Sequence, residues 1–155
     1  MRRRHLLVSL AVTASGGCLS LGGSSSTSST SKLGEVSIVN HDYEPHRVEV
    51  SVERDGNQVY RGEPEATAGD DVSPGGVVLP CEWGTEVGEY VVQARIDTRT
   101  DWKSIALTDY DADMISLMLS IGDVNTDRGD DPGLSFWTTS NANESCESPT
   151  ETSKS

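Results

Sequence analysis

Two histidines, two runs of alternating acids and three cysteines are the residues of this chain whose types and spacing could do chemistry. His41 and His46 lie in the segment Asn40-His41-Asp42-Tyr43-Glu44-Pro45-His46. Imidazoles close to carboxylates are the parts of a proton relay or of a copper site. Asp109, Asp111 and Asp113 alternate, so on extended backbone their carboxylates share a side, where they could hold a cation or divide acid and base work. Asp123, Asn125 and Asp127 offer side-chain oxygens at alternate positions, a pattern that suits calcium. Cys18, Cys81 and Cys146 can serve as thiols, as a disulfide or as an attachment point.

Each grouping has to meet the full demands of its chemistry. The stretch around His41 resembles the first copper-ligand region of cupredoxins, where a strand ends in Asn and a His follows. A blue-copper centre also needs a Cys, a second His and usually a Met clustered together. No His follows His46, and Cys146 has neither His nor Met beside it. No copper site is therefore expected, and His41 and His46 are expected on the surface of a strand-loop-strand connection. The segment 122–131 resembles a calcium loop of the EF-hand or dockerin kind. Arg128 stands where that loop has its glycine, and Leu134 where it has its final Glu. Asp123, Asn125 and Asp127 thus read as an acidic surface loop, with calcium binding as the rival reading. Close spacing of Asp109, Asp111 and Asp113 is expected by chance among 25 acidic residues. There is no supported Ser-His-Asp arrangement, no glycine loop to cradle phosphate and no zinc spacing. The expectation is no catalytic residue, no metal and no cofactor.

The N-terminus carries a different kind of signal. Arg2, Arg3 and Arg4 form a positive head, residues 5–14 are mostly apolar, and Ser15-Gly16-Gly17 leads into Cys18. A charged region, a short apolar run and small residues before a cut are the anatomy of an export signal. The apolar run falls short of the roughly 20 residues that span a bilayer. Arg3-Arg4 followed by Leu6-Leu7 resembles the twin-arginine export motif, and Gly16-Gly17-Cys18 resembles a lipobox. These resemblances imply cleavage after Gly17, lipid on Cys18, and a protein held on the outer face of the cell membrane. Cys81 and Cys146 then remain as an even pair in an oxidising space, where a disulfide is expected. Asn143-Glu144-Ser145 is a glycosylation sequon, which makes Asn143 a candidate acceptor.

Charge narrows the partners. The formal net charge is −13, and loss of the three leader arginines leaves −16. Such a chain repels nucleic acid and anionic membrane surfaces. Lys32, Lys103 and Lys154 are its only lysines, and this balance resembles the proteins of halophilic archaea. Multimolar salt shortens the screening length to about 3 Å, against about 30 Å in dilute buffer. The thermal midpoint is therefore expected to climb steeply with KCl. A midpoint that stays flat from dilute buffer to multimolar salt would remove the halophilic reading.

The elements that must position all these residues follow from period-two patterning. Val48, Val50 and Val52 alternate with Arg47, Glu49, Ser51 and Glu53, the mark of a half-buried strand. Asp55-Gly56 then favours a tight hairpin into 58–60. Further strands are expected at 35–40, 77–79, 88–97, 102–107, 114–121 and 134–139, with a loop over 62–76. Segments 18–33 and 141–155 are polar and read as a Ser/Thr tether and a disordered tail. The domain organisation expected is an export signal at 1–17, an anchor and tether at 18–33, one domain at 34–140 and a tail at 141–155. Seven or eight short strands point to an all-β antiparallel sandwich. Gly88-x-Tyr90-x-Val92-x-Ala94 resembles the immunoglobulin-like strand that carries the tyrosine corner, which implies that the Tyr90 hydroxyl bonds nearby backbone. The functional expectation is a non-catalytic binding or accessory module facing another surface protein or a small ligand. The rivals are a small calcium-binding protein or hydrolytic enzyme built on the Asp-rich loops, and a structural component of the cell surface.

Overall fold

The computed structural model describes residues 28–122, 131–140 and 146. Nine strands run in order: β1 Lys32–Asn40, β2 His46–Arg54, β3 Asn57–Gly62, β4 Glu65–Ala66, β5 Gly75–Val78, β6 Tyr90–Ile96, β7 Lys103–Ala106, β8 Met114–Ile121 and β9 Leu134–Thr139. One 3-10 turn, Leu107–Asp109, follows β7. The strands form two sheets, one ordered β5-β1-β8-β9 and the other β3-β2-β6-β7 with β4 added beside β2. The protein is a β-sandwich of two packed sheets. With β6 as strand F, the second sheet alone has the C′-C-F-G order of immunoglobulin-like domains.

Alternation decides which faces meet. Val48, Val50 and Val52 of β2 and Tyr90, Val92, Ala94 and Ile96 of β6 point inward and are buried. They meet Val36 and Ile38 of β1 and Ile115, Leu117, Leu119 and Ile121 of β8. Trp83, from the segment before β6, is 2% exposed. Its indole N–H donates to the Leu33 carbonyl at 3.1 Å, and its ring meets Tyr60 edge-on at 5.6 Å. The Asp55-Gly56 turn has φ of 51° and 76°, the left-handed pair that a primed hairpin requires. Gly76 lies so close to β1 that a Cβ there would come within 2.0 Å of the Ile38 carbonyl oxygen.

The expectations differ from the structure in three respects. Nine strands stand among the described residues rather than seven or eight, because two residues of the expected 62–76 loop, Glu65 and Ala66, pair with Arg47 and His46. The sandwich is not wholly antiparallel, since β1 and β8 pair in parallel from Lys32↔Met114 to Asn40↔Ile121. The domain also starts earlier than residue 34. Ser31 bridges to Gly88, and Leu33 is buried at 1% exposure, so an apolar side chain pulls the end of the expected tether into the core.

Tyr90 is fully buried, and its hydroxyl donates to the Glu86 carbonyl at 2.7 Å, as a tyrosine corner requires. Cys81 and Cys146 are bonded, with their Cα atoms 5.5 Å apart.

Candidate functional site

Asn40 ends β1 with its side chain fully buried. Its amide donates to the carbonyls of Glu44 at 2.7 Å and Thr67 at 3.0 Å, and its oxygen accepts the Asp42 N–H at 3.0 Å. These bonds fix the turn 41–45 and carry Asp42 back over the first residue of β2. There His46 lies between two carboxylates. Its Nε2 is 2.8 Å from Asp42 Oδ2, and its Nδ1 is 3.0 Å from Asp97 Oδ2. Asp97 sits at the end of β6 with a φ of 51°, and its other oxygen accepts the Arg47 N–H at 3.1 Å. The Asp42 carboxylate also accepts the Tyr43 N–H at 2.7 Å.

The expectation of a surface His46 is thereby corrected: it is 7% exposed. Both ring nitrogens face acceptors, and only the imidazolium can donate through both at once. Burial pushes the His46 pKa down, but the hydrogen bonds and charges of Asp97 and Asp42 outweigh it and hold the pKa above the ordinary 6.5. A raised folded-state pKa gives stability that is complete below the unfolded value and is lost as pH climbs through the folded one. The unfolding free energy is therefore expected to fall as pH rises above the ordinary histidine value of about 6.5. In His46→Gln that fall should shrink. A variant whose pH profile superimposes on the native one would show that His46 does not carry the effect.

A second cluster lies on the outer face of the β3-β2-β6-β7 sheet. Glu49 of β2 is 6% exposed and opposes Arg95 of β6 in the ladder. Arg95 Nε donates to Glu49 Oε2 at 2.6 Å, and Arg61 of β3 donates to Oε1. Burial works to raise the Glu49 pKa, and these two guanidiniums overcome it, so the carboxyl ionises below its usual range. Arg95 also lies over the Trp102 ring, 4.7 Å from its centroid, and Arg61 is 6.0 Å from the same ring. Cation–π contact and charge-assisted hydrogen bonds, Arg61 to one Glu49 oxygen and Arg95 to the other, together hold the two arginines in place. Beside them runs a groove of about 380 Å³ lined by Arg47, Glu49, Glu63, Arg95, Asp97 and Thr98. Asp97 thus belongs to both clusters and joins the buried histidine to the groove wall.

The other expected sites fall elsewhere. Asp109, Asp111 and Asp113 are all exposed, and no group of three metal-ligating side chains occurs among the described residues. Cys18, Asp123, Asn125, Asp127 and Asn143 lie outside the described residues. None of the described helical segments is long and apolar enough to cross a membrane. Sequence reasoning placed Glu49 and Arg47 on the outward side of β2 but did not single out Glu49, Arg61, Arg95 or Trp102 as a cluster. The available signal was the run of charges at alternate positions of β2, and its partners are fixed only by the ladder register. No protein-family model and no curated protein matches the chain.

Proposed function

We propose that this protein is an exported, lipid-anchored, non-catalytic binding module that engages another protein of the cell surface. The observation that carries this reading is the pre-set cluster of Trp102, Arg95, Arg61 and Glu49 beside the groove. Tryptophan and arginine dominate the energetics of protein interfaces, above all when their side chains are already held in one conformation. A non-catalytic role is further supported by His46, whose two ring nitrogens are both occupied by carboxylates and so leave it no free site for a substrate proton. Lipid on Cys18 and a Ser/Thr tether would hold the module clear of the membrane in the high salt that its composition suits.

The test has two arms on intact cells. Cys18→Ser is expected to move the protein from the membrane fraction to the medium. If native protein and variant fractionate alike, the anchor reading is wrong. Surface cross-linking of the native protein is expected to give a discrete adduct that is lost in Trp102→Ala and Arg95→Ala. An adduct unchanged in both would overturn the assignment of this face.

A further inference from the structure

The opposite side of the sandwich is chemically unlike the rest of the chain. Across β1, β5, β8 and β9, Lys32 and Glu35 are the only charged residues, in a protein where 24% of residues are charged. The ladder sets the outward side chains in rows: Val78, Ser37, Met118 and Trp137 cross the sheet as successive partners, and Ser116 pairs with Thr139. Trp137 is 61% exposed and Met118 37%. A groove of about 260 Å³ opens between them, lined by Glu35, Ser37, Ser116, Met118, Trp137 and Thr139 among others.

We infer that this groove is a binding site for a neutral sugar ring, separate from the protein-binding face proposed above. An indole carries negative charge on its faces, and the C–H groups on one side of a pyranose are its natural complement. The hydroxyls of Ser37 and Thr139 both donate and accept, as sugar hydroxyls do. Glu35 is a carboxylate acceptor that lines the same groove beside Ser116, one row along from Trp137, so a ring resting on the indole and Met118 can turn one hydroxyl edge toward it. A carboxylate accepts from a hydroxyl more strongly than a neutral group does. The charge pattern selects among ligands. No cation lines the groove, and the one charged side chain in it is the Glu35 carboxylate, which opposes an anionic ligand at contact range even where salt screens the rest of the chain. An uncharged ligand meets no such barrier.

The experiment is a fluorescence titration of the mature protein in molar KCl with maltohexaose, cellohexaose and laminarihexaose, with polygalacturonate as the anionic control. Trp83 is buried and serves as an internal constant. At least one neutral hexaose is expected to shift the tryptophan emission saturably, and polygalacturonate is not. Trp137→Ala should weaken that binding by about tenfold or more, Trp137→Phe should keep most of it, and Glu35→Gln should weaken it without altering the fold seen by circular dichroism. Trp102→Ala should leave it unchanged. Absence of a saturable shift with all three hexaoses overturns the inference, as does equal binding of polygalacturonate or loss of binding in Trp102→Ala in place of Trp137→Ala. None of those results bears on the cross-linking arm above, so the two sites stand or fall independently.

Discussion

Tyr90→Ala is expected to lower the unfolding free energy by about 4 kcal/mol. The side chain is fully buried at the first residue of β6, and its loss removes both apolar contact and the volume that closes one end of the core. Its hydroxyl is a separate contribution, because Tyr90→Phe keeps the ring and loses only the group that donates to the Glu86 carbonyl and accepts from Arg54. That change should cost about 1 kcal/mol. The pair of variants therefore divides ring from hydroxyl. Denaturant midpoints measured in molar salt decide the matter. Tyr90→Ala unfolding at the native midpoint would mean that the ring is not part of the core, and equal losses in the two variants would mean that the hydroxyl alone matters. The Glu86 carbonyl belongs to the turn before β6, which Arg54 also holds through its ion pair with Glu86 and its bond to the Trp83 carbonyl. Tyr90→Phe should therefore loosen the 84–88 turn first, seen as faster amide exchange there than in β2.

Breaking the Cys81–Cys146 bond is expected to cost about 4 kcal/mol, the chain-entropy value for a closed loop of this length. The two cysteines are separated by 65 residues, and the loop between them contains β6 to β9. Cys146 is buried at 6% exposure among the core residues, so the bridge also fastens a residue beyond β9 to the sandwich. The double variant Cys81→Ala/Cys146→Ala avoids a lone thiol and should unfold at a lower denaturant midpoint, while reductant should shift the native protein and leave the variant unmoved. Mass spectrometry after alkylation without reduction is the companion measurement. Two alkylated thiols in the native chain would show that the bond is not made in the cell.

Much of this architecture is legible in the chain because a strand advertises its inward and outward sides through a period of two. The boundaries expected for the strands at 114–121 and 134–139 coincide with β8 and β9. The alternation of 47–53 becomes the buried pattern of β2, and Asp55-Gly56 makes the turn its residue types favour. The cysteine pairing followed from the even count left when Cys18 is set aside as the expected lipid site. Those are local or compositional properties: pleat geometry, turn dihedrals and redox setting need no knowledge of distant neighbours. Glu65–Ala66 escaped notice for the same reason, since two residues carry no period at all.

What the sequence could not disclose is who stands opposite whom. The parallel pairing of β1 with β8 joins segments at opposite ends of the domain, and no alternation within either strand announces it. His46 looked like a surface residue because its Nδ1 partner, Asp97, is 51 residues away; its burial follows from β6 ending beside the start of β2. Glu49 shares a face with Arg61 and Arg95 only through the registers of β2 with β3 and with β6. Trp137 stands next to Met118 and Ser37 only through those of β9 with β8 and of β8 with β1. Register belongs to the packed sheet, set by which inward faces bury together, because a slip of one residue would turn every buried side chain outward. Composition and periodicity thus determine that this chain forms an acidic, disulfide-linked sandwich, and the energetics of burying two sheets against each other decide which polar residues meet on its surfaces.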